Sequence, residues 1–439
     1  MLSKLLYLDH HLLRRCWPFL GLYLLLFAAL TLADGLSLTL FVQRAGAARL
    51  PLYYGLSAVG MAVAAGLYMS YAGRFSGGRV FHVILAGPSL LFLLIWLAVG
   101  TGQGDVRLLG LLFLGREIAM SLVLLHFGTW LLDYFTRGEL NRVMPVIYAG
   151  GRIGGIVGGA MLQHLSQVVA PIHLMLLLVA LLVLAMGGVA LIQRRVPLVE
   201  EEETIPNSAA GTRPLEPDAP RNLAGFPRFL WASPLLFWIT VSTVALFACR
   251  TMLSVQYNGF LETAFPSEAE TARFLGLYTQ IALAGSLVVQ LFVINRIIAL
   301  VGLKGAHLLY ASLLASAAML TLLPMTLATA VAARLVENEL RFCLRNPVSQ
   351  MIVNQFSKAT RLLARAWSLG LLIPLSTLAA SVAMALLLQG GLAWILPPLT
   401  ALLGLGYLLA SFPLVHSFDE PPPRTAVRTS GPLSLEAKS

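Results

Sequence analysis

Apolar runs of about twenty residues recur along this chain from Trp17 to Leu414, and several carry an arginine in their interior. A helix of that length spans the roughly 30 Å hydrocarbon core of a bilayer. The chain is 58% hydrophobic and only 11% charged, too little polar surface for a water-soluble fold of this size. A charged side chain at membrane depth is costly, so each one needs a partner, a cavity or a role. Together these facts confine the chain to an all-α, polytopic membrane protein with charged groups kept in its interior.

The runs fall at 17–40, 52–72, 80–100, 107–133, 144–165, 171–193, 232–257, 272–299, 303–323, 325–350, 362–389 and 391–414. They predict 12 transmembrane helices as two six-helix pseudo-repeat bundles, 17–193 and 232–414. Residues 1–16 place Leu2, Leu5, Leu6, Leu12 and Leu13 near helical spacing beside Lys4, Arg14 and Arg15, the pattern of an interfacial helix. The first apolar run is too long for the core of a cleaved signal peptide. Residues 194–231 read as a cytoplasmic linker. Glu200–Glu203 and Pro206, Pro214, Pro217 and Pro220 cannot build a packed core. Residues 415–439, with Pro421–Pro423, read as a disordered cytoplasmic tail. Six helices on each side of a linker is the plan of major facilitator transporters, whose halves are related repeats. The spacing from Arg116 to Arg142 nearly matches that from Arg334 to Arg361, as such a repeat would require.

The net charge of +10 reports orientation. Lysine and arginine concentrate in cytoplasmic loops of membrane proteins. With both termini inside, twenty of the thirty basic residues lie on the cytoplasmic side and four outside, at Arg44, Arg49, Arg107 and Arg273. The net charge is therefore no sign of nucleic-acid binding. A bacterial inner membrane is the expected location. Cys16, Cys249 and Cys343 lie far apart and form no CxxC pair, which argues against a disulfide framework.

The remaining six basic residues lie within the apolar runs: Arg116, Arg152, Arg250, Arg334, Arg341 and Arg345. The acids at comparable depth are Asp34, Glu117, Glu337 and Glu339, with Asp133 near a helix end. If these groups share one cavity, it is net positive. Guanidinium offers a rigid fork of donors suited to phosphate or carboxylate, so the candidate contacts for a small-molecule anionic substrate are Arg116, Arg152, Arg250, Asn338, Arg341 and Arg345. The blander reading is a set of interhelical ion pairs. In the tenth run Arg334, Glu337, Asn338, Arg341 and Arg345 follow steps of three and four, which would put them on one α-helical face. Pro347 should kink the end of that helix. Asp34, Glu117 and Glu337 are candidate coupling or gating groups, since a buried carboxylate can carry a proton. His126 reads as a satisfied interior histidine. His164 and His173 read as solvated.

The fifth run holds Gly150, Gly151, Gly154, Gly155, Gly158 and Gly159, two rows of glycines four residues apart. Such rows let helices touch backbone to backbone. They are not a phosphate loop, for no GxxxxGK[ST] and no preceding strand accompany them. No cluster has metal-ligand spacing, and no nucleophile–base pair stands in a local catalytic motif. No metal, no cofactor and no enzymatic activity are expected.

Two stretches carry a family resemblance. Asp133-Tyr134-Phe135-Thr136-Arg137-Gly138-Glu139-Leu140-Asn141-Arg142 leads into Tyr148-Ala149-Gly150-Gly151-Arg152-Ile153-Gly154-Gly155-Ile156-Val157-Gly158-Gly159. Later comes Leu340-Arg341-Phe342-Cys343-Leu344-Arg345-Asn346-Pro347, followed by Lys358. Both resemble the ATP/ADP translocases of intracellular bacteria and plastids and their free-living bacterial relatives. The resemblance implies a major-facilitator-like fold across most of the chain and transport of nucleotides or other phosphorylated metabolites. It does not reach the intramembrane lysines of the nucleotide exchangers: the first helix carries Asp34 and no lysine.

The sequence thus points to a secondary transporter of an organic anion working by alternating access as a monomer in the bilayer. A non-transporting scaffold or sensor with the same fold is a second reading, and would show every interior arginine paired to an acid. A membrane-embedded lipid-processing enzyme is a third, and would need a converging acid/base or metal set.

Overall fold

The computed structural model describes residues 10–100, 105–199, 230–231, 233–354, 356 and 358–417. Most of the 194–231 segment, residues 1–9 and the tail beyond Ser417 lie outside the described residues. The protein is an all-α polytopic membrane protein, and its described residues contain no strand. Six helices make the first half: α1 (His10–Ala45), α2 (Leu50–Tyr71), α3 (Gly77–Gly100), α4 (Val106–Leu131), α5 (Arg137–Leu165) and α6 (Leu174–Arg195). In the second half α7 (Pro234–Ala264) is followed by α8 (Glu268–Val288), which passes through a π turn into α9 (Ile294–Leu320). Gly302, with φ 69°, breaks α9 at the place where the sequence joins its eighth and ninth runs. Then come α10 (Leu327–Arg334, Leu335–Arg345 and Asn346–Val353), α11 (Lys358–Trp367, then Ile373–Gln389) and α12 (Leu396–Ser417).

Ten of the described helical segments are long and apolar enough to cross a membrane. Among the described residues, neither α8 nor α10 is one of them.

The backbone has no break at residue 16. His10–Cys16 are the opening turns of α1, with Pro18 inside the helix. Arg15 holds them down, donating to the Tyr134 carbonyl and pairing with Glu139 at 3.4 Å. Glu139 also closes a capping box with Thr136 at the start of α5.

The glycines of α5 face two ways. A Cβ at Gly150, Gly154 or Gly158 would fall on the backbone of Leu20, Leu24 or Ala28 in α1. A Cβ at Gly151 would meet Tyr23 and Phe27, also in α1. Gly155 and Gly159 instead meet Leu283 and Gly276 of α8, in the other half. One helix therefore touches both halves at backbone distance.

Two hydrophobic cores result. The first fills the space between α1–α6 and continues into Met252, Val255, Tyr257, Leu261, Ala272 and Leu275 of α7 and α8. The second is confined to α7–α12, around Leu246, Phe247, Tyr310, Leu314, Val348 and Tyr407. The halves therefore share a core at the end where α1 meets α2. A polar seam closes the same end. Arg44 grips Glu268 through Nε and Nη2 at 2.5 and 3.1 Å. Gln43 donates to the Phe265 carbonyl and to Thr271, both at 2.9 Å, and the Ala47 amide donates to Glu262 at 2.8 Å. The opposite end holds Arg15, Asp133 and Arg195, beside the 194–231 segment. There Val199 donates to the Asp133 carbonyl within the first half.

The charged tenth run is not a plain α-helix. Leu335–Arg345 has the wider π register and resumes as α-helix at Asn346. Pro347 explains this. Its ring removes a donor and crowds the carbonyl four residues back, and a π register relieves both. The same pairing recurs in α11, where Ser368–Leu372 is π just ahead of Pro374.

Candidate functional site

The π register redistributes the charges of α10. Wider turns pull side chains three and four residues apart off a common face, so the single stripe expected over Arg334–Arg345 does not form. Arg334 turns toward α7 and the first half. Its Nη1 donates to Glu337 Oε2 at 3.0 Å and to Ser254 Oγ at 3.2 Å, and its guanidinium lies over the Tyr257 ring. Glu337, only 1% exposed, also pairs with Arg250 Nε at 2.7 Å. Asn338 donates to Glu339 at 2.9 Å. Arg341 and Arg345 point into the second half. Arg341 Nε donates to the Glu337 carbonyl at 3.3 Å, and its guanidinium stacks on Phe342 and lies near Phe247. Arg345 lies beside His307 of α9 and the Tyr407 hydroxyl of α12.

The first half supplies a second charged group. Arg116 is buried in α4, stacked over Phe113. It donates to Asp34 of α1 and pairs with Glu117 at 3.2 Å. The side chains of Asp34 and Glu117 stay 43% and 25% exposed, so both acids remain reachable while their arginine is enclosed.

These groups meet midway along the bundle. Tyr54 of α2 hydrogen-bonds Ser254 of α7 at 2.9 Å and accepts from Asn258 at 3.3 Å. Ser254 also receives Arg334, so one hydroxyl joins Arg334 of α10 to Tyr54 of the first half. Arg152 of α5 crosses the same interface, donating to Ser286 of α8 at 3.0 Å and lying 3.6 Å from Glu339 of α10. Further along, Gln280 of α8 donates to Gln163 of α5 at 2.5 Å.

Four of the six interior arginines thus have acid partners, which differs from the cavity of unbalanced positive charge that the sequence suggests. At the shared interface Arg116, Arg152, Arg250 and Arg334 balance Asp34, Glu117, Glu337 and Glu339. Ion pairing overrides a net count because an isolated charge in this medium is costlier than a paired one. The surplus, Arg341 and Arg345, makes no direct ion pair with an acid among the described residues, although Glu337 lies in electrostatic reach of Arg341, and it lies inside the second half. His126 is held by Tyr68 at 3.0 Å and the Gly77 carbonyl at 2.7 Å. His173 is not simply solvated, since it accepts from Trp96 at 3.2 Å. The three cysteines are free and buried. Among the described residues no three His, Cys, Asp or Glu converge as a metal site.

The residues that stitch the halves together were not singled out in the sequence. Tyr54, Ser254, Asn258, Gln163, Gln280 and Ser286 are neutral and sit in ordinary apolar runs. Only repeated uncharged hydrogen-bonding residues at membrane depth could have marked them.

No family model matches the chain, and no curated protein matches it. Solved structures do. The nucleoside transporter NupG aligns over 94% of this chain and 100% of its own, with a TM-score of 0.64 at 14% identity. A bacterial homologue of the lysosomal transporter Spinster, inward-facing and unoccupied, aligns over 93% and 99% with a TM-score of 0.58 at 16% identity. A bacterial homologue of the iron transporter ferroportin, also inward-facing, gives the same coverage, TM-score and identity. The fold is that of the major facilitator transporters. At these identities the likeness is one of fold, and it does not extend to the ATP/ADP translocase family in particular.

Proposed function

We propose that this protein is a secondary transporter of a small organic anion, working by alternating access between its two halves. The observation that carries the reading is the meeting of charged side chains from both halves midway along an otherwise apolar bundle. Asp34, Arg116 and Glu117 face Arg334 and Glu337 there, and Tyr54 and Ser254 link them. A solute bound at such a midplane site touches both halves, so its binding can bias their rocking. An arriving carboxylate or phosphate competes with Asp34 for Arg116 and with Glu339 for Arg152. Arg152 and Glu339 are 3.6 Å apart, a loose pairing that a bidentate anion can replace. Asn338, bonded to Glu339, is placed to follow that exchange.

The balance of four arginines and four acids favours a second reading, a zwitterionic solute whose two ends replace one partner of each sign. The scaffold reading requires every interior arginine to be paired, and Arg341 and Arg345 are not. Thermal shift of the purified protein decides among these, with a panel of nucleotides, sugar phosphates, carboxylates and amino acids. Uptake into proteoliposomes follows for any stabilising compound. One anionic class should stabilise the protein, and Arg152→Gln should lose that response while remaining folded. Stabilisation by amino acids alone would favour the zwitterion. No response and no uptake across the panel would leave the scaffold.

A further inference from the structure

Arg341 and Arg345 place two positive charges where the proposed transport site does not use them. We propose that the second half holds a small inorganic anion of halide size between α9, α10 and α12, bound by Arg345, Tyr310 and Tyr407, with His307 beside it. The wall is enclosed: Tyr310 and Tyr407 are 0% exposed and His307 4%. The Tyr407 ring lies 6.1 Å from both the His307 and the Tyr310 rings. Arg345 lies within hydrogen-bond reach of the Tyr407 oxygen and near His307, and Arg341, Arg345 and Glu337 all lie in electrostatic reach of Tyr310.

Four buried polar atoms of this group have no hydrogen-bond partner: Arg345 Nε, the hydroxyls of Tyr310 and Tyr407, and His307 Nδ1. Buried polar atoms are nearly always partnered, so four together mark a place that takes a ligand. Three of them are donors. The polarity of the fourth follows from its neighbours. The Ser411 hydroxyl gives its hydrogen to the Tyr407 carbonyl at 2.8 Å, so His307 Nε2, 3.1 Å from that hydroxyl, is the donor of that pair. Nδ1 is then a lone pair, suited to a water that accompanies the ion. Donors without acceptors, beside two guanidinium groups that Glu337 reaches only from a distance and with no ion pair of their own among the described residues, call for an anion and not a cation. Close aromatic packing limits it to a small one. None of these residues belongs to the first half or to the Arg116–Arg334 interface, so the site is separate from the transported solute's.

Thermal unfolding of the purified full-length protein tests this, in sodium bromide or chloride against sodium gluconate at constant ionic strength. The melting temperature should rise saturably with halide and stay flat in gluconate. Tyr407→Phe removes one hydroxyl and nothing else, and should raise the half-saturating bromide concentration about tenfold. Arg345→Gln should abolish the response, and Asp34→Asn should leave it intact. Crystals grown in bromide should show anomalous density between α9, α10 and α12. Bromide stabilising no better than gluconate, or an unchanged midpoint in Tyr407→Phe, would overturn the proposal. Should Arg345→Gln fail to fold, Tyr407→Phe decides alone.

Discussion

At the scale of single residues, the two charged groups differ in how much they stand to lose. Glu337 is enclosed and answers two arginines, Arg250 and Arg334. Glu337→Gln would strand both, and loss of one partner in a buried pair costs about 3–5 kcal/mol. The variant should unfold at markedly lower temperature than the parent. Parent-like stability would show that these arginines find counter-charges elsewhere. Asp34 is the opposite case. Its side chain is 43% exposed, and Arg116 keeps Glu117 when Asp34 is neutralised. Asp34→Asn should therefore change stability by less than about 1 kcal/mol and abolish accumulation of the solute. An Asn variant that accumulates solute normally would remove Asp34 from the coupling groups.

At the scale of elements, α5 is the most constrained helix. Gly154 lies against the backbone of Leu24, whereas Gly285 on α8 has open space around it. Gly154→Leu forces α5 off α1 and should cost 1–3 kcal/mol or more, on the order of other overpacked interiors. Gly285→Ala should be neutral or slightly stabilising, because alanine favours the helix by about 1 kcal/mol. Equal melting temperatures for the two variants would mean α5 does not rely on its glycines. The glycine rows were legible in the sequence because their four-residue spacing survives in a regular α-helix. The grouping of Arg334 with Glu337 and apart from Arg341 was not. It depends on the π stretch, which the sequence marks only by Pro347 downstream. The helix ends were legible where turns carry glycine, proline or charge. The start of α1 was not, because Arg14 and Arg15 resemble a membrane boundary, whereas the helix runs through them and Arg15 is held by Glu139 and the Tyr134 carbonyl.

At the scale of the whole molecule, the bias of basic residues predicts that the 194–231 segment faces the cytoplasm. Cysteines introduced by Ser208→Cys and Ser267→Cys in a cysteine-free protein should label from opposite sides of the membrane. Labelling of the Ser208→Cys protein from outside intact cells would reverse the topology. Under the proposed alternating access, the seam at the α1–α2 end is the contact that must part when the charged interface opens outward. Glu268→Gln weakens the Arg44 pair, and it should raise labelling of a cysteine placed at Thr271 from outside. Unchanged labelling would show that Gln43 and Glu262 hold the seam by themselves. One feature of the charge arrangement reaches into biosynthesis. Asp34, Arg116 and Glu117 pair entirely within α1–α6 and leave one acid in excess, and Arg250, Arg334 and Glu337 pair within α7–α12 and leave one arginine in excess. The emerging first half can thus form the Arg116 group in the lipid before α7 leaves the ribosome, with Arg152 alone waiting for Glu339, and two fragments cut in the 194–231 segment should be inserted separately and then reassemble.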